Sequence, residues 1–192
     1  MQEPAARAGG RQHRPRQRAI TLIELMLAVA IVGVLAAVCV QSYSRRIRHS
    51  KTAEAISNIR RIYESARAYI EFEQSGRSMA VVPKQFPASI APSPPTNTCC
   101  DAVAGVNGKC IPSVDYWASP GWSALSFAIM DPHYYWYEFV SSGTASTARF
   151  TARANGNLDC DTLYSTFEMT GWMDNKGMVG GQAGMFRSQD TE

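Results

Sequence analysis

Ala19–Val40 reads A-I-T-L-I-E-L-M-L-A-V-A-I-V-G-V-L-A-A-V-C-V, and from Ile20 onward its only polar side chains are Thr21 and Glu24. An apolar run of about 20 residues is long enough to cross a bilayer as a helix. Five arginines precede it (Arg7, Arg11, Arg14, Arg16, Arg18). That bias holds a short N-terminus in the cytoplasm and sends the rest of the chain across the membrane. Glu24 is the odd member, because a carboxylate just inside an apolar span is costly and is usually paired or functional.

Working outward, the stretch opens a long helix predicted from Ile20 to about residue 75. Ala, Leu, Met and Glu are good helix formers, and no proline occurs between Ile20 and Val82. After Val40 the pattern changes. Arg45, Arg46, Arg48 and Lys51 form a basic collar, read equally as a lipid-headgroup contact or a solvated face. From Ala53 the apolar residues Ala53, Ile56, Ile59, Tyr63, Ala66 and Ile70 recur at helical spacing, with Glu54, Asn58, Arg61 and Ser65 expected opposite them. The second half should therefore pack against a folded domain. Gln74-Ser75-Gly76 supplies the stop.

The basic leader, the T-L-I-E-L start and the apolar helix together resemble the N-terminal segment of type IV prepilins and of type II secretion pseudopilins. The resemblance implies that a dedicated prepilin peptidase cuts between Ala19 and Ile20 and that the new Ile20 amine is methylated. It implies a single-pass inner-membrane precursor with a cytoplasmic N-terminus. The subunit then enters a periplasmic or extracellular filament through residues 20–45, with Glu24 meeting the Ile20 amine of a neighbour. Its partners would be the peptidase, other pilin or pseudopilin subunits and the inner membrane. This chain departs from the usual pattern in having Ala19 for glycine, Ile20 for phenylalanine and Gln41 for a common proline.

The domain plan is a leader over residues 1–19, a helix over 20–75 (membrane and assembly part 20–40, amphipathic part 41–75) and an exported domain over 76–192. Of 19 basic and 16 acidic residues, five arginines and Glu3 lie in the leader, so the remainder is close to neutral at about −1. Nothing in that balance predicts a nucleic-acid partner. The exported part opens with a proline-dense loop (Pro83, Pro87, Pro92, Pro94, Pro95) in which Val81, Val82, Phe86 and Ile90 can pack. Strand-like runs follow at Ser123–Ile129, Tyr134–Val140, Thr147–Ala154 and Ser165–Met173, separated by turn signals. They predict an antiparallel sheet of three to four strands burying the amphipathic half-helix, an α+β pilin-like fold. The glycine-rich tail from Gly177 reads as loop.

Cys39 lies in the apolar run, where it reads as a small apolar residue. Cys99, Cys100, Cys110 and Cys160 form an even set in an exported domain, which favours two disulfides over zinc because paired C-x-x-C spacing is absent. A bond between adjacent cysteines is strained, so one of Cys99 and Cys100 should pair with Cys110 and the other with Cys160. Asn157, Asp159, Asp161, Ser165 and Glu168 have the oxygen spacing of a calcium loop. Thr162 stands where that loop has its turn glycine, and the flanks read as strands. The competing reading is a polar turn whose Asx side chains cap their own backbone. Calcium is the one cofactor the sequence raises.

His49 and His133 sit in no nucleophile, metal or phosphate motif, so no catalytic residues are assigned and an enzyme is not expected. The aromatics Tyr134–Tyr137, with Trp117 and Trp122, read as core before they read as a ligand platform. The functional expectation is a structural pilin-like subunit, in the first place a minor pilin. One alternative is a type II secretion pseudopilin. The alternative of another class is a ligand- or DNA-binding minor pilin, for which the mature sequence offers only Arg149 and Arg153.

Overall fold

The computed structural model describes residues 20–76, 83–95, 98–100, 105–106 and 108–189. The leader with Ala19, the pair Val81 and Val82, and the side chains of Cys39, Gln41 and Arg45 lie outside the described residues. The chain divides into two units, Met1–Ser42 and Tyr43–Glu192. Helix α1, Leu22–Gly76, contributes to both.

In the first unit every described residue from Ile20 to Val38 is exposed. Thr21 starts the helix. Its hydroxyl accepts the N–H of Glu24 at 3.3 Å and its carbonyl the N–H of Leu25 at 3.2 Å, satisfying donors that a helix start leaves open. Among the described residues no helix is long and apolar enough to cross a membrane. The span expected over Ile20–Val40 includes two side chains outside the described set.

The second unit is α+β, with the later part of α1 packed on an antiparallel sheet. Three long strands dominate: β4 (Tyr135–Ser142), β5 (Arg149–Gly156) and β6 (Ser165–Met173). They pair in consecutive order, with Tyr137 opposite Ala154 and Ala154 opposite Phe167. β1 (Ile90–Ser93) adds to the free edge of β4. β2 (Gly105–Val106) and β3 (Lys109–Cys110) make a separate small hairpin. The tail read as loop instead supplies β7 (Val179–Gly181) and β8 (Phe186–Ser188), which pair with opposite ends of β6. Glycine weakens a strand but leaves its backbone donors intact. Here it also relieves crowding: a Cβ at Gly181 would collide with Tyr63 of α1, and one at Gly171 with Phe150.

Alternation on the long strands gives the core. Phe150, Ala152 and Ala154 of β5 and Phe167 and Met173 of β6 are buried on the helix side, beside Tyr135, Tyr137 and Phe139 of β4. The small alanines let α1 approach. Its buried ridge is Thr52, Ala55, Ile59, Ile62, Ala66 and Ile70. The sequence stripe is thus corrected by part of a turn. Ala53 is exposed, Ile62 and Ala55 replace it, and Glu54 and Asn58 face β4.

Ser123–Ile129 is also corrected. Pro120–Ala124 is a short helix, α2, capped by Ser119, whose hydroxyl accepts the Trp122 N–H at 3.3 Å. Serine at N-cap followed by proline is a helix-start signal. The alternation of Leu125 and Phe127 did mark buried positions, but on a turn.

Candidate functional site

The N-terminal segment is a helix start carrying an unusual acid. Ile20 is 71% exposed, Glu24 occupies the first turn, and Thr21 stands three residues before it. T-x-x-E is the spacing of a capping box, and a carboxylate in the first turn is favoured by the helix dipole. In the sequence Glu24 is a costly acid in an apolar span that calls for a partner amine. The T-x-x-E spacing also marks a helix start, and one half of the box is formed, the Thr21 hydroxyl accepting the Glu24 N–H. Among the described residues Glu24 has no ion-pair partner.

In the exported domain Cys99 pairs with Cys110 and Cys100 with Cys160. The adjacent cysteines thereby tie the segment after β1 both to β3 and to the turn between β5 and β6. Cys99 and Cys110 pack with buried Trp136, against which Tyr164 leans edge-on.

The five oxygen-bearing residues of the turn are used separately. Asn157 closes an Asx-type turn, accepting the Asp161 N–H at 3.1 Å and donating to its carbonyl at 2.7 Å. Asp161 accepts the Leu163 N–H at 2.6 Å. Asp159 pairs with Arg48 at 3.1 Å. The Ser165 hydroxyl is buried and donates to the Gly156 carbonyl at 3.1 Å. Glu168 pairs with Arg153, which also binds Glu138. Among the described residues no group of three His, Cys, Asp or Glu side chains could hold a metal ion.

Two polar features were not foreseen. Glu54 accepts the Tyr134 N–H at 3.0 Å and the hydroxyl of fully buried Tyr137 at 3.3 Å, while Asn58 donates to that hydroxyl at 2.9 Å. Burial pushes the Glu54 carboxyl above its usual range, against the lowering effect of these hydrogen bonds. Burial and the Glu54 charge hold the Tyr137 phenol well above its own range. Further along, Lys51 and Lys109 both approach the Tyr134 ring, at 4.5 and 5.0 Å from its centre. Desolvation first, then the cations Arg48 and Lys109, lower the Lys51 pKa.

His49 is exposed. His133 is buried, with Nδ1 2.9 Å from the Asp131 carbonyl, and burial lowers its pKa. Among the described residues neither imidazole is hydrogen-bonded to a Ser, Thr or Cys side chain.

The family described as "Prokaryotic N-terminal methylation motif" matches residues 14–40. The N-terminal segment is of the prepilin type. Curated relatives agree. The type IV major pilin protein PilA of Myxococcus xanthus is 40% identical over 55 residues, 29% of this chain and 25% of that protein. The type IV major fimbrial protein FimA of Dichelobacter nodosus is 49% identical over 41 residues, 21% of this chain and 26% of that protein. The matched stretch thus spans about a quarter of the length of these relatives. No solved structure matches. Over that segment, which contains Ala19, Ile20 and Glu24, the chain is similar to type IV pilins. Helix-on-sheet packing in the second unit is consistent with the pilin fold.

Proposed function

We propose that this chain is a structural, non-catalytic subunit of a type IV pilus filament, and a minor pilin within it. The precursor sits in the inner membrane through residues 20–40 with its N-terminus in the cytoplasm. Prepilin peptidase cuts after Ala19, the Ile20 amine is methylated, and the mature helix leaves the membrane for the filament. The carrying observation is the coincidence of the methylation motif with a helix whose described residues from Ile20 to Val38 are all exposed. Such a surface is unfavourable in water at about 25 cal/mol per Å² of apolar area. Lipid first, and the same helix of neighbouring subunits later, would cover it.

Glu24 fits this cycle as a registry group. A carboxylate in hydrocarbon disfavours insertion by roughly 2.5–3.5 kcal/mol, and in low dielectric a cationic partner offsets that cost. The Ile20 amine of an adjacent subunit, freed by cleavage, is that partner. Mass spectrometry of filament material tests the processing step. The expected mature chain begins at N-methyl-Ile20, and an intact leader in assembled filaments would refute the proposal.

A further inference from the structure

The solvent face of the sheet holds a depression of 440 Å³ over β5 and β6, walled by the Ser146–Ala148 turn. Its volume lies in the range of about 300–1,000 Å³ common for small-ligand sites. Trp172 lies in it, 46% exposed, whereas Trp117, Trp122 and Trp136 are buried. Directly opposite Trp172 in the strand register are Arg149 on β5 and Gly180 on β7. A Cβ built at Gly180 would lie 3.4 Å from the indole Nε1 and 3.6 Å from Cε2, so a larger residue there would sit against the ring. The indole therefore lies beside the β7 backbone at Gly180 and is still 46% exposed. Among the described residues the Arg149 guanidinium has no acidic partner.

The next pair on the same face is Thr151 and Thr170, opposite one another. Thr170 donates to Gln182 at 3.2 Å and keeps its lone pairs. One step further the positive charge stops. Arg153 is held between Glu138 and Glu168. A nucleic-acid strand running along β5 would need a continuous basic track for its phosphates, and here it would meet two carboxylates. A single acidic ring fits better. An indole face takes the C–H face of a sugar, a free guanidinium takes a carboxylate through two parallel hydrogen bonds, and the threonines take hydroxyls. We infer that Trp172, Arg149, Thr151 and Thr170 form a binding site for a carboxylated saccharide.

The test uses the full chain in detergent, titrated with trigalacturonic acid and followed by tryptophan fluorescence. Saturable quenching is expected, since only one of the four indoles is exposed. The methyl-esterified trisaccharide should bind far more weakly. Arg149→Gln should weaken acid binding by about tenfold or more, the equivalent of one charged hydrogen bond, and weaken ester binding less. Trp172→Ala should abolish the response. Absence of saturable binding, equal binding of acid and ester, or tighter binding of oligo-dT than of the saccharide would overturn the inference. Acid against ester on the unaltered chain decides the matter even if a variant folds poorly. Because the chain is unassembled, the result is independent of the filament proposal.

Discussion

The two ends of α1 are both helical and meet opposite surroundings. From Ile20 to Val38 every described side chain is exposed, although most are apolar. From Thr52 to Ile70 one ridge is buried, with Ala55, Ile59, Ile62, Ala66 and Ile70 all at 0% exposure. Propensity alone does not distinguish them, because the same good helix formers populate both. What differs is pattern. The first stretch is apolar on all sides and the second on one side. An all-round apolar helix requires an apolar environment from elsewhere, whereas a one-sided helix is completed by its own domain. The first stretch therefore belongs to the proposed assembly function and the second to stability.

The sharpest attempt to break that contrast is a matched pair of truncations. Ile62→Ala should destabilise the exported domain by about 2–5 kcal/mol, the range for a buried large-to-small change. Ile31→Ala should leave domain stability unchanged within about 0.5 kcal/mol while weakening filament incorporation. Thermal unfolding of the full chain in detergent measures the first effect, and equal losses from both variants would erase the distinction.

The buried side can be probed from the sheet. Gly171 sits under Phe150, with Tyr63 of α1 close by. Gly171→Val should cost about 1–3 kcal/mol by overpacking, read as a fall in Tm. Retained stability would mean that the helix and sheet separate easily.

The legible parts of this fold were those set by strict period. Alternation located β5 and β6 and their buried faces, because a strand exposes its pattern every second residue. The α1 stripe was read slightly out of phase. Ala53 is small enough to pass as core, and Glu54 and Asn58 looked like solvent residues. Their true partners, Tyr134 and Tyr137, are about 80 residues away. β1, β7 and β8 were missed because short edge strands take their form from the neighbour they pair with, and composition there favours turns. The spacing around Asp159 carries two readings in the sequence because an Asx turn and an oxygen-ligand loop draw on the same residues, and the structure shows the Asx hydrogen bonds. In the N-terminal segment the methylation motif was legible, but the capping role of Thr21 was not.

Glu54 offers the smallest and most specific effect. Its folded pKa is raised, so the stability linked to its protonated form is complete below its ordinary carboxylate range and is lost as pH rises through the raised value. Glu54→Gln keeps an oxygen for the Tyr134 N–H and removes the charge. Relative to the unaltered chain the variant should gain stability at pH 8, and the gain should shrink toward pH 4. Parallel pH profiles would show that Glu54 titrates as it does in the unfolded chain.

If the exposed end of α1 serves assembly, Glu24 sets register between subunits. The direct measurement compares Glu24→Val with the unaltered chain, as the ratio of protein in sheared filaments to protein in the inner membrane. Normal membrane levels and intact domain disulfides are expected. The filament ratio should fall by about tenfold or more, as expected for loss of one buried charged pair. An unchanged ratio would contradict the assembly role.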